Sequence, residues 1–282
     1  MNWLDDVLAF LHGNQEDGDP AGLLYTRWYA GSAPIDQPPG FPASLVSVLR
    51  SADARAEEWE EGWLAVQVGP NGQVVARRDR EVRLVFRGDY VVTGRPGLLA
   101  RQGDPLMVSG RRDIVSPAGD WWYTSGGGWR VDRPPATLVR LYWNITFGHL
   151  PELTGRLTGL LGRIRRPWML KCAADPPAHT RADVTVLYLD PEVAHDLAGP
   201  LRDMALDLPV RDSAPRLTLP VAPGLAAAWD PRGGESFGEH RCRLIAAPPH
   251  SKAGIVDRFT AAGISVDRPY AHKDDPVLPW EN

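Results

Sequence analysis

Apolar side chains recur three and four apart over residues 2–12, where Trp3, Leu4, Val7, Leu8 and Leu11 share one side, and this spacing predicts a short amphipathic helix. Residues 13–20 read as an acidic, Gly-rich loop, and residues 23–29 form an aromatic, half-polar segment that fits neither period. Residues 34–42 hold four prolines and read as loop. Helical spacing returns over residues 43–61 through Leu45, Val48, Leu49 and Trp59. From Trp63 the period changes to two. Residues 63–68 and 73–77 flank Pro70-Asn71-Gly72, a hairpin signal, and residues 81–86 and 90–93 continue the meander. Residues 94–129, rich in Gly, Pro, Asp and Arg, predict turns and short strands.

The second half is more regular. Strands are predicted at 137–147, 167–173, 182–189 and 215–221, with a last short one at 264–266. Helices are predicted at 150–164, 190–206 and 254–263; residues 236–247 suit either type, and the tail 274–282 reads as loose. Pro191 at a first helical position fits the start of the second of these helices. The fold class is α+β: an antiparallel, meander-rich N-terminal part, then a mixed sheet flanked by helices. The division expected is 1–135, a helix and β-meander region suited to holding a peptide, and 136–282, the core carrying the chemistry, either as two units or as one continuous domain.

Composition narrows the function classes. The chain of 282 residues has a net charge of -4, which argues against a general nucleic-acid binder. No apolar run approaches the roughly 20 residues of a membrane span, and Met1 leads into no basic segment, so a cytoplasmic location with no membrane association is expected. Two cysteines, Cys172 and Cys242, make neither a disulfide framework nor a four-cysteine zinc site. No phosphate-cradling glycine loop, His-Glu-x-x-His or Gly-x-Ser-x-Gly is present, and seven scattered histidines lack ligand spacing.

Of the 31 basic residues 28 are arginines, so each of the three lysines, Lys171, Lys252 and Lys273, stands out. Lys171 lies inside the apolar run Pro167-Trp-Met-Leu-Lys-Cys-Ala173. Arginine stays protonated, whereas a desolvated lysine can act as a base; an edge-strand lysine that snorkels to solvent is the other reading of the same pattern. Arg140-Leu-Tyr-Trp-Asn-Ile-Thr-Phe147 alternates, with Arg140, Tyr142, Asn144 and Thr146 on one side, as at a sheet edge with one solvated face. Arg181 with His179, Arg241 with His240, and Arg27 among aromatics are candidate anion binders or plain surface groups.

Leu24-Tyr-Thr-Arg-Trp-Tyr29, Arg140-Leu-Tyr-Trp-Asn144, Pro167-Trp-Met-Leu-Lys171, Arg181-Ala-Asp-Val-Thr-Val-Leu-Tyr188 and Ser236-Phe-Gly-Glu-His-Arg-Cys242 fall in an order that resembles the HopA-type effector family over residues 20–265. Actinobacterial members of that family are lyases in the biosynthesis of ribosomal peptides, including class V lanthipeptides and thioamitides. A separate kinase phosphorylates Ser or Thr of the precursor peptide, and the lyase eliminates phosphate to leave dehydroalanine or dehydrobutyrine. The chain is also similar to the phosphothreonine lyases of enteric effectors, whose Lys-Phe-His strand precedes a catalytic lysine. Here Tyr142 and Lys171 stand 29 residues apart, with Arg140 and Tyr142 where those enzymes carry lysine and histidine.

The resemblance implies a phosphothreonine-lyase-like core and a β-elimination without metal or cofactor. Lys171 is the implied base, and Arg140 stabilises the enolate. Tyr142, with a pKa lowered by nearby cations, or else His179 or His240, serves the leaving phosphate. Arg181, Arg241 and Arg27 clamp that phosphate, with Tyr188 beside them. The implied partners are the phosphorylated precursor peptide, leader and core, and a kinase. Competing readings are a non-catalytic peptide-binding partner that uses strand addition and a host-directed effector. The missing phosphate loop argues against a kinase.

Overall fold

The meander becomes a five-stranded antiparallel sheet in the computed structural model, which describes residues 3–14, 18–31, 44–55, 59–110, 113–130, 133–231 and 234–281. Its strands are β1 (Trp59–Val68), β2 (Val74–Arg78), β3 (Glu81–Val85), β4 (Tyr90–Val92) and β5 (Pro105–Ser109), in the order β3-β2-β1-β5-β4. The β1–β2 hairpin closes as its sequence signal predicts. Asn71 and Gly72 take positive φ values of 59° and 78°, a conformation these two residue types tolerate. The Gly69 N–H then donates to the Gln73 carbonyl at 2.7 Å. Trp63, Ala65, Val74, Ala76 and Leu106 fill this sheet's own small core.

The second sheet has seven strands: β6 (Asp113–Val115), β7 (Trp121–Gly126), β8 (Val139–Trp143), β9 (Trp168–Ala173), β10 (Thr185–Leu189), β11 (Leu219–Ala222) and β12 (Leu225–Trp229). Their order is β11-β12-β8-β10-β9-β7-β6. The α+β class stands, but the pairings are antiparallel throughout, so this sheet is not mixed. β6 and β7 precede residue 135 yet join it, which puts the division between the sheets after β5.

Helices cover both faces of the seven-stranded sheet. Leu141 and Trp143 of β8 pack into one apolar cluster with Leu150, Leu153, Leu157 and Leu161 of α4 (Leu150–Leu161) and Leu201 of α6 (Ala198–Asp207). Tyr142, Val186 and Ala228 face the other way. They meet α1 (Trp3–Gly13), α7 (Phe237–Ala246), α8 (Lys252–Ala261) and a π-helical turn (Leu24–Tyr29) that follows the short α2 (Pro20–Leu23). The N-terminal helices therefore complete the layer over the C-terminal sheet. The loop expected at 34–42 lies outside the described residues.

Several predicted elements differ, each for a local reason. The helix expected to residue 61 is α3 (Leu45–Ala52) and stops at Asp53. The Asp53 carboxylate there accepts from the Arg55 backbone N–H at 3.0 Å and from its guanidinium at 2.8 Å, and Arg55 reaches across to Thr124 at 2.7 Å. Trp59 to Glu61 then belong to β1. The single helix expected at 190–206 is two, α5 (Pro191–Asp196) and α6. Pro200, in the first turn of α6, has no N–H to continue the α5 ladder. Residues 264–266 turn rather than forming a strand. The tail expected to be loose is docked: Leu278 is buried, Trp229 Nε1 donates to the Pro276 carbonyl at 3.2 Å, and Trp280 Nε1 donates to the Ala198 carbonyl at 3.2 Å.

Candidate functional site

β8 is no edge strand. It lies between β10 and β12, and all five of its residues are buried. Its polar side, expected to be solvated, carries Arg140 and Tyr142 into the layer beneath α7 and the π-helical turn. The register then assembles a row across four strands. Tyr142 pairs with Val186, Val186 with Lys171, and Lys171 with Tyr123. Directly opposed residues share a face in antiparallel pairs, so these four side chains point the same way. Arg140, Tyr188 and Met169 form the next row on that face.

Lys171 sits half-buried in β9 with its Nζ 3.7 Å from the centre of the Trp121 ring and 5.8 Å from that of Tyr123. It makes no hydrogen bond or ion pair to any described residue. Burial, then the charge of Arg140, lowers the amine's pKa, while Asp183, Asp120 and Glu239 pull the other way. The small Val186 separates it from Tyr142, so the two are two strand spacings apart, about 9–10 Å between backbones.

Buried polar atoms crowd around Tyr142: Nη2 of Arg241 has no hydrogen-bond partner among the described residues, and the hydroxyls of Tyr142 and Tyr29 have none beyond each other and Arg140. Leaving such groups unpaired is costly, which makes them candidates for contact with a ligand. Arg241 is 0% exposed. Its Nε donates to the Pro269 carbonyl at 2.8 Å and its Nη1 meets His240 Nδ1 at 2.5 Å. Burial pushes its pKa down to about 10, against the pull of Tyr142, Tyr29 and Asp275. The lowered pKa expected for Tyr142 is not found. Burial outweighs the pull of Arg140 and raises it, so the phenol stays protonated.

Two of the other arginines already hold carboxylates. Arg140 pairs through Nε with Asp230 and lies 5.1 Å from the centre of the Tyr188 ring. Burial disfavours its charge, but Tyr188, Tyr142 and Asp230 together raise its pKa. Burial likewise raises that of Tyr188, against Arg140. Arg181 grips Asp183 through two contacts, at 2.9 and 2.7 Å, and lies 4.8 Å from the centre of the Tyr25 ring.

The remaining candidates do not join this group. His179 is turned into the opposite cluster, with Nε2 2.9 Å from the Ala173 carbonyl and its ring against Phe147. Burial lowers its pKa, keeping it neutral. His240 touches the site only through Arg241, and burial, followed by that guanidinium, lowers its pKa to about 4. Arg27 is exposed. It stands two residues from Tyr25 and from Tyr29, which places it on the far side of the turn.

Tyr25, Tyr29, Asp183 and Glu239 belong to the same neighbourhood and were not singled out by sequence. Tyr25 and Tyr29 stack at 5.7 Å with an interplanar angle of 12°, the four-residue spacing being the available signal. Gly238 of α7 makes room for them: a Cβ there would stand 2.4 Å from Tyr29 Cε1 and 2.6 Å from Tyr25 Cε2. Ser236 caps α7 by accepting from the Glu239 N–H at 3.2 Å, which orients the first turn of the helix toward Tyr142 through Phe237.

Among the described residues no group of three or more His, Cys, Asp or Glu is placed to hold a metal ion, and no helix is long and apolar enough to cross a membrane. A model of the HopA1 effector protein family matches residues 127–271, the span from the end of β7 to beyond α8. No curated protein matches the chain. Two solved structures share the fold over nearly the whole length. An effector protein from Pseudomonas syringae pv. tomato strain DC3000 superposes with a TM-score of 0.56 at 18% identity, over 95% of this chain and 97% of that one. An effector protein from Pseudomonas syringae pv. syringae strain 61 gives 0.54 at 14% identity, over 95% and 94%.

Proposed function

Since the chain belongs to the HopA1 effector protein family, and given the chemistry grouped on its central sheet, we propose that it is a phosphoserine/phosphothreonine lyase. The observation that carries the reading is Lys171: an amine with its pKa lowered by burial, unpaired among the described residues, in one row with a protonated tyrosine and with only Val186 between them.

A phosphorylated residue entering beside the half-buried Lys171 has the amine on one side and reaches the buried Tyr142 hydroxyl, across Val186, once Tyr29 and Phe237 give way. Neutral Lys171 takes the α-proton. The Cα–Cβ double bond forms as the Cβ–O bond breaks, and phosphate leaves with the bonding electron pair. Tyr142 and Tyr29 donate hydrogen bonds to the departing oxygen, and Arg241 Nη2 supplies a charge close by. Arg140, held by Asp230, stabilises the developing enolate electrostatically. Arg181 meets the phosphate by releasing one contact with Asp183. The products are dehydroalanine or dehydrobutyrine and phosphate, and no step needs a metal or cofactor. From the ordered motifs, the proposed substrate is a phosphorylated ribosomal precursor peptide in lanthipeptide or thioamitide biosynthesis, supplied by a separate kinase in the cytoplasm.

The test is incubation with phosphothreonine and phosphoserine peptides, followed by phosphate release and mass spectrometry. The expected result is loss of one phosphoric-acid unit per peptide. Binding without loss identifies a peptide-binding partner instead. Tyr142→Phe separates chemistry from folding at the same site. It removes a buried hydroxyl whose polar neighbours are Tyr29 and Arg140, so thermal stability is expected to change by no more than about 1 kcal/mol. Turnover is expected to fall about a hundredfold. Unchanged turnover rejects the donor role.

A further inference from the structure

A cavity of about 450 Å³ opens over the same sheet face, one row along from Lys171. Its floor is Met169 and Tyr188, and Ile114, Val115, Trp129 and Leu138 are among its walls. The lining is mostly carbon. The charged groups in it, Arg140 and Asp230, are paired with each other. The volume falls within the range of roughly 300–1,000 Å³ typical of small-ligand sites.

The cavity adjoins the proposed reaction centre. Arg140 belongs to both, and Tyr123 links the cavity wall to the Lys171 row. Met169 and Lys171 are two residues apart on one strand, so their same-face separation is about 6.5–7 Å. An extended peptide repeats its own side chains on one side at that same spacing. A peptide lying along β9 with its phosphorylated residue at Lys171 therefore sets a side chain two residues away over Met169.

We infer that this cavity is a specificity subsite for a bulky apolar side chain, aliphatic or aromatic, two residues from the phosphorylated residue. The inference rests on the lyase reading for its register, and its test keeps the two apart. Phosphothreonine heptapeptides in a Gly/Ala background carry Ala, Leu, Phe or Asp at the second residue before or after phosphothreonine, and kcat/KM for phosphate release is measured for each.

Leu and Phe are expected to exceed Ala by at least about tenfold at one of the two positions, with Asp below Ala. Ile114 is exposed on the cavity rim, and Ile114→Asp is expected to bring the Leu-over-Ala ratio toward one. Ratios near one at both positions, with the Ala peptide turned over, overturn the subsite and leave the lyase reading intact. If no peptide releases phosphate, the lyase reading falls. The same Leu-over-Ala ratio, taken from calorimetric Kd values, then decides the subsite: tenfold tighter binding of Leu supports it, and equal or undetectable binding overturns it.

Discussion

Lys171→Ala is expected to lower phosphate elimination by about a thousandfold or more, while a phosphothreonine peptide still binds with a measurable Kd. The size follows from the role. Without the amine, the α-proton must pass to water, whereas the arginines and tyrosines proposed to hold the phosphate stay in place. Lys171→Arg is expected to be equally inactive although it keeps the positive charge, because a guanidinium does not give up its proton near neutral pH. A purely electrostatic role would survive that exchange. The pH profile adds an independent reading. With the neutral amine as the proposed active form, kcat/KM is expected to rise with pH and level off above the Lys171 pKa. Burial and Arg140 both lower that pKa, so the plateau begins at a lower pH than for a free lysine. Turnover retained in Lys171→Ala rejects the assignment.

Arg140→Met has the second largest expected effect, and it acts twice. Loss of the charge proposed to stabilise the enolate is expected to cost about 10²–10³ in kcat. The same change strands Asp230, which lies mostly out of solvent beside it, and removing one partner of a buried pair typically costs about 3–5 kcal/mol. The two consequences separate in the double variant Arg140→Met/Asp230→Asn. With both charges gone, most of the stability is expected to return by thermal unfolding, but the activity is not. Recovery of activity in the double variant makes Arg140 a structural residue only. Arg140 is also one of the charges that lower the Lys171 pKa, so whatever activity remains in Arg140→Met should show its rise displaced to higher pH.

The sequence singled out several residues of this group and misjudged their surroundings. Lys171 stood out because it interrupts an apolar run in a chain dominated by arginine, and it lies in β9 as its pattern predicts. Arg140 and Tyr142 were correctly placed on one side of a strand, but alternation does not distinguish a solvated face from one covered by a helix. Only the seating of β8 between β10 and β12, beneath α7, decided that. β12 was invisible for the complementary reason. Leu225–Trp229 is Leu-Ala-Ala-Ala-Trp, buried on both sides, so it shows no alternation at all. Asp183 and the Tyr25–Tyr29 pair lie in segments that resemble the family but carried no role of their own, since a carboxylate two residues from an arginine and two tyrosines four apart occur on any surface.

The sequence by itself determined the α+β class, most strand and helix positions, the unusual lysine and the arginines that accompany it. These are local properties, set by side-chain period, turn residues and charge, and they are readable within a dozen neighbours. The tertiary structure alone decided which cations are neutralised by Asp230 and Asp183, that the Tyr142 pKa is raised rather than lowered, and that His179 turns into the opposite core. It also brought the N-terminal tyrosines and α7 over Tyr142. Each of these depends on burial and on charges contributed by residues far apart in the chain, and the energy of an ionisable group is set by that surrounding medium rather than by its sequence neighbours.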